Sequence, residues 1–258
     1  MERKEIKKEY KTRKKELRRG YRRDKGEMRD QLHVDLDAAL VADGGRAVIN
    51  PPKRALLEEI GNSVTHLAGS AFSIVAFILM CVFAGGALEV VGATIYFVGL
   101  FVMFTASCLY HAFPYGSAVK RLFRRFDYSS IYLLIGATFA PILLSYIGGT
   151  VGIVYLILQW AVIATGITLV CVFGPTRLRF IHIPLYIILG WCGLVFIPDM
   201  IRAGDYEFLA YILGGGIIYS LGIIPFVLKK KVAHFIWHFF VLAGAVVQWI
   251  GVFGTIYV

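Results

Sequence analysis

Seven long apolar runs constrain the fold of this chain more than any other feature of its sequence. A transmembrane helix needs about 20 consecutive apolar residues, because its length must span the hydrocarbon core of the bilayer. Hydrophobic residues make up 58% of the 258 positions, and they concentrate in these runs. We therefore predict an all-α polytopic membrane protein with seven transmembrane helices, at about residues 66–84, 90–110, 129–147, 150–173, 180–198, 208–228 and 234–257.

Basic residues in the connecting segments predict the orientation of these helices. Residues 1–60 contain 17 Lys and Arg, and the segments before the third, fifth and seventh runs each carry at least two more. The segments on the other side hold no Lys or Arg except Arg202. Since Lys and Arg are enriched in cytoplasmic loops, we expect a multi-pass protein of the cell membrane with its N-terminus in the cytoplasm and its C-terminus outside. G-protein-coupled receptors have the opposite orientation.

Residues 1–41 form a basic arm with an internal repeat of eleven residues. Its three units read EIKKEYKTRKK, ELRRGYRRDKG and EMRDQLHVDLD. Such a repeat keeps its apolar positions in one stripe of a nearly straight helix. We expect this helix to bind anionic headgroups at the inner membrane surface or a partner; a solvated, partly helical tail is the alternative. Residues 42–57 are predicted to be a Gly/Pro linker, and 58–258 the membrane domain. No nucleic-acid partner is expected, and the oligomeric state stays open.

Ionisable side chains within or beside the apolar runs are few, and the predicted orientation sorts them by depth. Such a group in lipid is costly and is therefore a candidate for function. Five of them lie at the cytoplasmic ends of the first, second, third and seventh runs: His66, His111, Asp127, His234 and His238. We expect these five to converge near the inner leaflet. His182 follows Arg179 and is interpreted as an interfacial residue.

The spacing of these residues indicates a zinc site. His234 and His238, in HFIWH, are four positions apart and share one helix face, and Ser107 precedes His111 by the same interval. A catalytic zinc typically takes three protein ligands. Three histidines meet that number and leave Asp127 to orient a water or take its proton. HFIWH lacks the Glu of the HExxH motif, so the base must come from elsewhere. The alternative is a polar helix edge at the membrane surface, beside an aromatic belt.

Six stretches of the chain resemble the hemolysin III family of bacterial membrane proteins. That family is grouped with the adiponectin and progestin receptors and the alkaline ceramidases in one seven-helix superfamily. The stretches cover about residues 55–250 and occur in the family's order: EEIGNSVTHLAG, SCLYH, FDYSSIYLLIGATFAP, LYIILGW, GGGIIYSLG and HFIWHFFVLAG. The basic arm lies outside the resemblance.

The resemblance implies a particular role for each of these residues. It places Zn²⁺ on His111, His234 and His238, and it puts Asp127 and Ser107 in contact with water at the metal or with the substrate. The family's first motif lies near the same end of the helices and is expected to surround the site. Its residues here are Glu59, Asn62, Ser63, Thr65 and His66. The histidine of this motif, His66, is not expected to be a metal ligand.

Three functions are compatible with this pattern. The relatives implied by the resemblance favour a zinc-dependent hydrolase that cleaves a lipid amide or ester, with a membrane lipid as substrate. The family name favours a cytolytic, pore-forming protein, although no apolar run shows a polar stripe. A third possibility is a zinc-stabilised receptor or sensor of membrane homeostasis, without catalysis. The sequence identifies neither the substrate nor the arm's partner.

Overall fold

The computed structural model divides the chain into two compact units, Met1–Asn50 and Pro51–Val258. It describes residues 12–21, 23–25, 27, 51–228, 230 and 232–258. The described residues of the first unit are helical and exposed, so the helix predicted for the arm is present at those positions. The rest of the arm, and the linker up to Asn50, lie outside the described residues. Binding of headgroups by the arm stays a prediction.

The second unit is a bundle of helices, and its described residues include no β-strand. Its α-helices are α1 (Leu56–Phe83), α2 (Ala87–Ala112), α3 (Ala118–Pro141), α4 (Gly149–Phe173), α5 (Arg179–Trp191), α6 (Ile197–Ala203), α7 (Tyr206–Val227) and α8 (Ala233–Ile256). A π-helical turn, Ile142–Ile147, extends α3, and a 3₁₀ stretch, Cys192–Phe196, joins α5 to α6. The resulting seven segments are long and apolar enough to cross a bilayer. The predicted seven-helix, all-α fold is confirmed, and the chain is a multi-pass membrane protein.

Helices α1 and α3 begin well before the apolar runs that predicted them. Helix α1 begins at Leu56 instead of residue 66, and α3 begins at Ala118 instead of residue 129. Hydropathy marks only the apolar length of a helix, whereas the helix itself continues until its first N–H groups find other partners. At α3 this partner is Ser117, whose Oγ accepts a hydrogen bond from the backbone N–H of Lys120 at 3.1 Å. The additional turns carry polar residues to the same end of the bundle.

Helix α1 carries a polar stripe that is buried in the bundle. The buried polar residues follow helical intervals of three and four: Asn62, Thr65, His66, Ser70 and Ser73. The Ser70 hydroxyl lies 3.0 Å from Thr105 Oγ1 on α2. The expectation that no run has a polar stripe is therefore wrong, because these small side chains are scattered among apolar neighbours and align only once the helix forms. Two of them, Asn62 and Ser70, have polar contacts with α2.

Helices α2 and α3 approach each other closely at Gly99. A Cβ atom at this position would lie 2.1 Å from the Cβ of Ala137 and 3.0 Å from the carbonyl oxygen of Leu133. Small residues at such crossings let membrane helices pack backbone to backbone. This contact holds together the two helices that carry Ser107, His111 and Asp127.

We expect Gly99→Val to destabilise the bundle by about 1–3 kcal/mol, the usual cost of overpacking a well-packed interior. The thermal unfolding midpoint of the purified protein in detergent measures this effect. Gly254→Val is the matched control, because a Cβ at Gly254 would meet no atom within 4 Å. An unchanged midpoint for Gly99→Val would contradict a tight α2–α3 crossing.

Candidate metal centre

Three histidines converge at one end of the bundle. His111 lies in the last turn of α2, while His234 and His238 lie in the first two turns of α8. The Nε2 atom of His234 lies 3.3 Å from Nε2 of His111 and 3.2 Å from Nε2 of His238. The three residues can each offer a ligand atom within 4.8 Å of the other two. His111 and His238 are almost completely buried.

A cation bound between the three Nε2 atoms explains their closeness better than hydrogen bonds between the rings do. The Nδ1 atom of His111 lies 2.5 Å from the carboxylate of Glu59, which only accepts hydrogen bonds when ionised. Nδ1 is then the protonated nitrogen, and the free lone pair on Nε2 points toward His234. A proton on Nε2 of His234 can be donated to only one of the two neighbouring Nε2 atoms. A cation, by contrast, can be bound by all three nitrogen atoms at once.

The nitrogen spacings also agree with tetrahedral coordination. Zinc binds imidazole nitrogen at about 2.0–2.1 Å, which places two ligands of a tetrahedron about 3.3–3.4 Å apart. Two of the three separations, 3.2 and 3.3 Å, are close to that value, and all three ligand atoms lie within 4.8 Å of one another. The three histidines therefore fit a metal ion of this kind, and they would hold it between α2 and α8.

A buried lysine supports the outer side of this cluster. Lys120 is only 1% exposed, and its ammonium group lies 3.1 Å from Oε1 of Glu59. The same group donates hydrogen bonds to the carbonyl oxygens of Tyr110, at 3.0 Å, and Phe113, at 2.9 Å. Lys120 thereby caps the end of α2 and holds the carboxylate that orients His111. Sequence reasoning counted Lys120 only among the orienting loop charges, because no local motif marks it.

We expect Lys120→Met to weaken zinc binding by about 10- to 100-fold, the usual cost of removing a group that orients a metal ligand. Competition with a fluorescent zinc chelator measures the affinity. Arg125→Met is the control, since Arg125 lies on the same helix and its side chain is exposed. Unchanged zinc affinity in Lys120→Met would show that Glu59 orients His111 without this lysine.

Ser107 and Asp127 lie beside the histidine cluster. Ser107 is almost completely buried, and its side chain hydrogen-bonds with the carboxylate of Asp127. Both residues line the same cavity as His66, His234 and His238. The predicted convergence of these polar groups from four helices is therefore present in the structure.

His66 packs against a histidine of the cluster and lies outside the converging nitrogens. Its ring stacks on His238, with centroids 3.8 Å apart and an interplanar angle of 29°. Neither ring nitrogen of His66 has a hydrogen-bond partner. It is absent from the group of three histidines with ligand spacing, as the resemblance leads one to expect.

The other residues of the first motif differ in their distance from the cluster. The Asn62 amide lies 3.2 Å from Nδ1 of His111, so Asn62 belongs to the surroundings of the site. The Ser63 hydroxyl donates to the carbonyl of Cys108 at 3.0 Å and joins α1 to α2. The Thr65 hydroxyl donates to the carbonyl of Gly61, within its own helix, at 2.7 Å.

His182 lies in the first turn of α5 and is buried between helices, so it does not face the membrane surface with an exposed ring; its depth in the membrane stays a prediction. It is 1% exposed, and its Nδ1 lies 2.9 Å from the hydroxyl of Tyr132 on α3. The neighbouring arginine and proline in the sequence are typical of a helix end, but tertiary packing covers this ring. His182 takes no part in the cluster of three histidines.

A largely apolar cavity extends from the cluster into the bundle. Its volume is about 140 Å³, and its lining reaches from His238 to Gln248 along α8. Ten residues of helix correspond to about 15 Å. Its other walls include α3, α5 and α7, with residues such as Leu134, Ile187 and Leu213. The arrangement joins a polar end, where the three histidines converge, to a space suited to a hydrocarbon chain.

The part of the chain that is similar to known proteins is the part that contains the site. The family model described as Haemolysin-III related matches residues 54–249, which include all the site residues discussed above. The chain belongs to this family. A protein named Hemolysin-3 from Bacillus cereus is 36% identical over 192 residues, covering 73% of this chain and 87% of that relative. The Hemolysin-3 homolog of Bacillus subtilis (strain 168) is 32% identical over 192 residues, covering 73% and 89%.

This chain is also similar to animal proteins. The human monocyte to macrophage differentiation factor is 26% identical over 214 residues, covering 80% of this chain and 87% of that protein. The resemblance inferred from the motifs is therefore confirmed for the hemolysin III family. The basic arm before residue 54 lies outside the family match.

Proposed function

We propose that this chain is a zinc-dependent membrane hydrolase that cleaves a lipid amide or ester. The observation that carries the proposal is the position of three converging histidines and the Ser107–Asp127 pair at the polar end of an apolar cavity. Zinc is the proposed ion because three imidazole ligands and these nitrogen spacings suit its tetrahedral coordination. When bound, zinc polarises a carbonyl group and makes a water molecule more acidic.

Asp127 is the proposed general base and acid. Asp127 lines the same cavity as His234 and His238, and a reacting carbonyl would meet water at this end of it. There it would take a proton from the attacking water and return it to the leaving amine or alcohol. Ser107 would hold the carboxylate in position through the hydrogen bond between the two side chains. Once Asp127 has taken the proton of the water, its carboxyl group can donate to Ser107, and the Ser107 hydroxyl would then be free to donate to the developing oxyanion.

The cavity favours a lipid substrate that enters from the bilayer. Helices α5 and α7 line it from two sides, and they make few contacts with each other. Trp191 of α5 bridges the gap by donating its indole N–H to Ser220 of α7 at 3.0 Å. A hydrocarbon chain in this space would avoid water, and its carbonyl would lie at the polar end.

The name of the Bacillus cereus relative supports a second candidate, a cytolytic protein. The described polar stripe of α1 does not favour it, because those side chains are buried and Ser70 bonds to α2. Current across planar bilayers that contain the purified protein would favour the cytolysin. A protein that keeps its zinc and has no hydrolytic activity would favour a receptor or sensor.

Untargeted lipidomics tests the proposed hydrolase. The purified protein is incubated in nanodiscs with a total membrane lipid extract, once loaded with zinc and once stripped by a chelator. We expect a fatty acid, and its matching amine or alcohol, to accumulate only with the zinc-loaded protein. Lipid profiles that are identical under the two conditions would contradict the proposal.

A further inference from the structure

Two arginines at the metal end of the bundle have buried nitrogen atoms without partners. Arg54 lies two residues before α1, and Arg124 lies in the second turn of α3. Nη1 of Arg54 and Nε of Arg124 are buried and have no hydrogen-bond partner, and Arg124 is only 8% exposed. Buried polar groups are almost always paired, and an unpaired donor on a charged group is especially costly. These two donors therefore point to a ligand.

The two guanidinium groups act on one common region. Both lie close enough to interact electrostatically with the same four side chains: Tyr110, Asp127, Tyr128 and His234. The Arg124 guanidinium lies 5.7 Å from the centre of the Tyr128 ring, which lines the cavity. Among the described residues, no ion pair within 4.0 Å joins either arginine to Asp127. The positive charges are thus near the cavity without being neutralised by its carboxylate.

The local charge balance would favour an anion once a divalent cation occupies the three histidines. Lys120 is paired with Glu59, and Nε of Arg54 lies 3.6 Å from the carboxylate of Glu58. Arg124 and Asp127 then remain as one positive and one negative group. A divalent cation on three neutral imidazoles would add two positive charges to this end of the bundle.

We propose that Arg54 and Arg124 form a binding site for a phosphate oxyanion beside the metal centre. Arginine suits this ligand because its planar fork of donors matches the oxygens of a phosphate group. The favoured source is a lipid headgroup: both arginines lie at the end of the bundle predicted to face the cytoplasmic headgroups, and the cavity would take the attached chain. The inference rests on the proposed function in two respects: the bound metal that makes this end of the bundle positive, and the naming of the substrate's headgroup. The unpaired arginine nitrogens do not depend on it.

Binding of an alkyl phosphate tests the site. The full chain in micelles of a maltoside detergent, which carries no phosphate, is titrated with dodecyl phosphate, with dodecanol and with inorganic phosphate, while tryptophan fluorescence is followed. Trp191 and Trp237 line the cavity and report its occupancy. We expect dodecyl phosphate to bind at least about 10-fold more tightly than dodecanol, since a hydrogen bond to a charged group adds that much affinity. Dodecyl phosphate has no carboxylic ester or amide, so this result does not depend on hydrolysis.

Substitution of each arginine tests whether it causes the preference for dodecyl phosphate over dodecanol. Arg124→Gln is expected to weaken dodecyl phosphate binding by about 10- to 100-fold and to leave dodecanol binding unchanged. Arg54→Gln provides a second variant in case the buried Arg124 is required for folding. Arg125→Gln, exposed on the same helix, should behave like the wild type.

The three probes separate the possible outcomes. Inorganic phosphate that binds much more weakly than dodecyl phosphate identifies a lipid headgroup as the ligand, and equally tight binding identifies a soluble phosphate at the same site. Equal affinity of the wild-type protein for dodecyl phosphate and dodecanol would overturn the proposal. Selectivity that survives in both Arg54→Gln and Arg124→Gln would overturn it as well.

Discussion

Replacing His238 by Ala is expected to release the metal from the protein and to leave the seven-helix bundle folded. Nε2 of His238 lies 3.2 Å from Nε2 of His234, and without it only two of the three converging nitrogens remain. We expect zinc affinity to fall by more than about 100-fold, because losing even a group that only orients a ligand costs about 10- to 100-fold. Elemental analysis of the purified protein, together with chelator competition, measures the change.

Thermal unfolding gives a second measurement of the same site. A metal that binds only the folded state raises its stability by mass action, so a chelator should lower the unfolding midpoint of the wild type and have no effect on His238→Ala. His182→Gln is the matched control, since His182 is equally buried and lies outside the cluster. Full zinc content in His238→Ala would show that these nitrogens do not hold the metal.

Asp127→Asn is expected to abolish lipid hydrolysis while zinc stays bound. The amide keeps nearly the shape of the carboxylate and its contact with Ser107, but it cannot accept a proton from water. General acid–base catalysis contributes about 10²- to 10⁴-fold to a rate, and we expect turnover to fall by that factor. Release of fatty acid, measured on the lipid identified by lipidomics, gives the rate, and elemental analysis gives the zinc content.

Comparison with a distant carboxylate isolates the role of Asp127. Asp199→Asn is the control: this exposed residue lies on α6 and pairs with Arg202 at 2.7 Å. Its loss should leave turnover unchanged. Undiminished turnover in Asp127→Asn would place the base elsewhere, whereas loss of zinc from this variant would show that Asp127 supports metal binding. A wild-type protein with bound zinc and no turnover would favour the receptor or sensor.

Local sequence patterns contain enough information for the fold and for the core of the site. Each apolar run is long enough to require a membrane-spanning helix, because unpaired backbone groups are not tolerated in lipid. Alternation of direction then places the ends of the second, third and seventh helices on one side. That is why His111, His234 and His238 could be predicted to meet. Helix starts were less predictable: the first turns of α1 and α3 each carry two charged residues and fall outside the apolar runs.

The sequence by itself determined that this chain crosses the membrane seven times and carries three histidines at one depth. Only the tertiary structure decided what surrounds them. The sequence predicts that Lys120 is a charged loop residue, yet packing buries it against Glu59 and the end of α2. Arg54 and Arg124 are 70 positions apart in sequence, but the fold gives them common neighbours. Hydropathy and helical spacing act along one helix, whereas hydrogen bonds, charge pairing and cavities depend on contacts between helices, which no local pattern specifies.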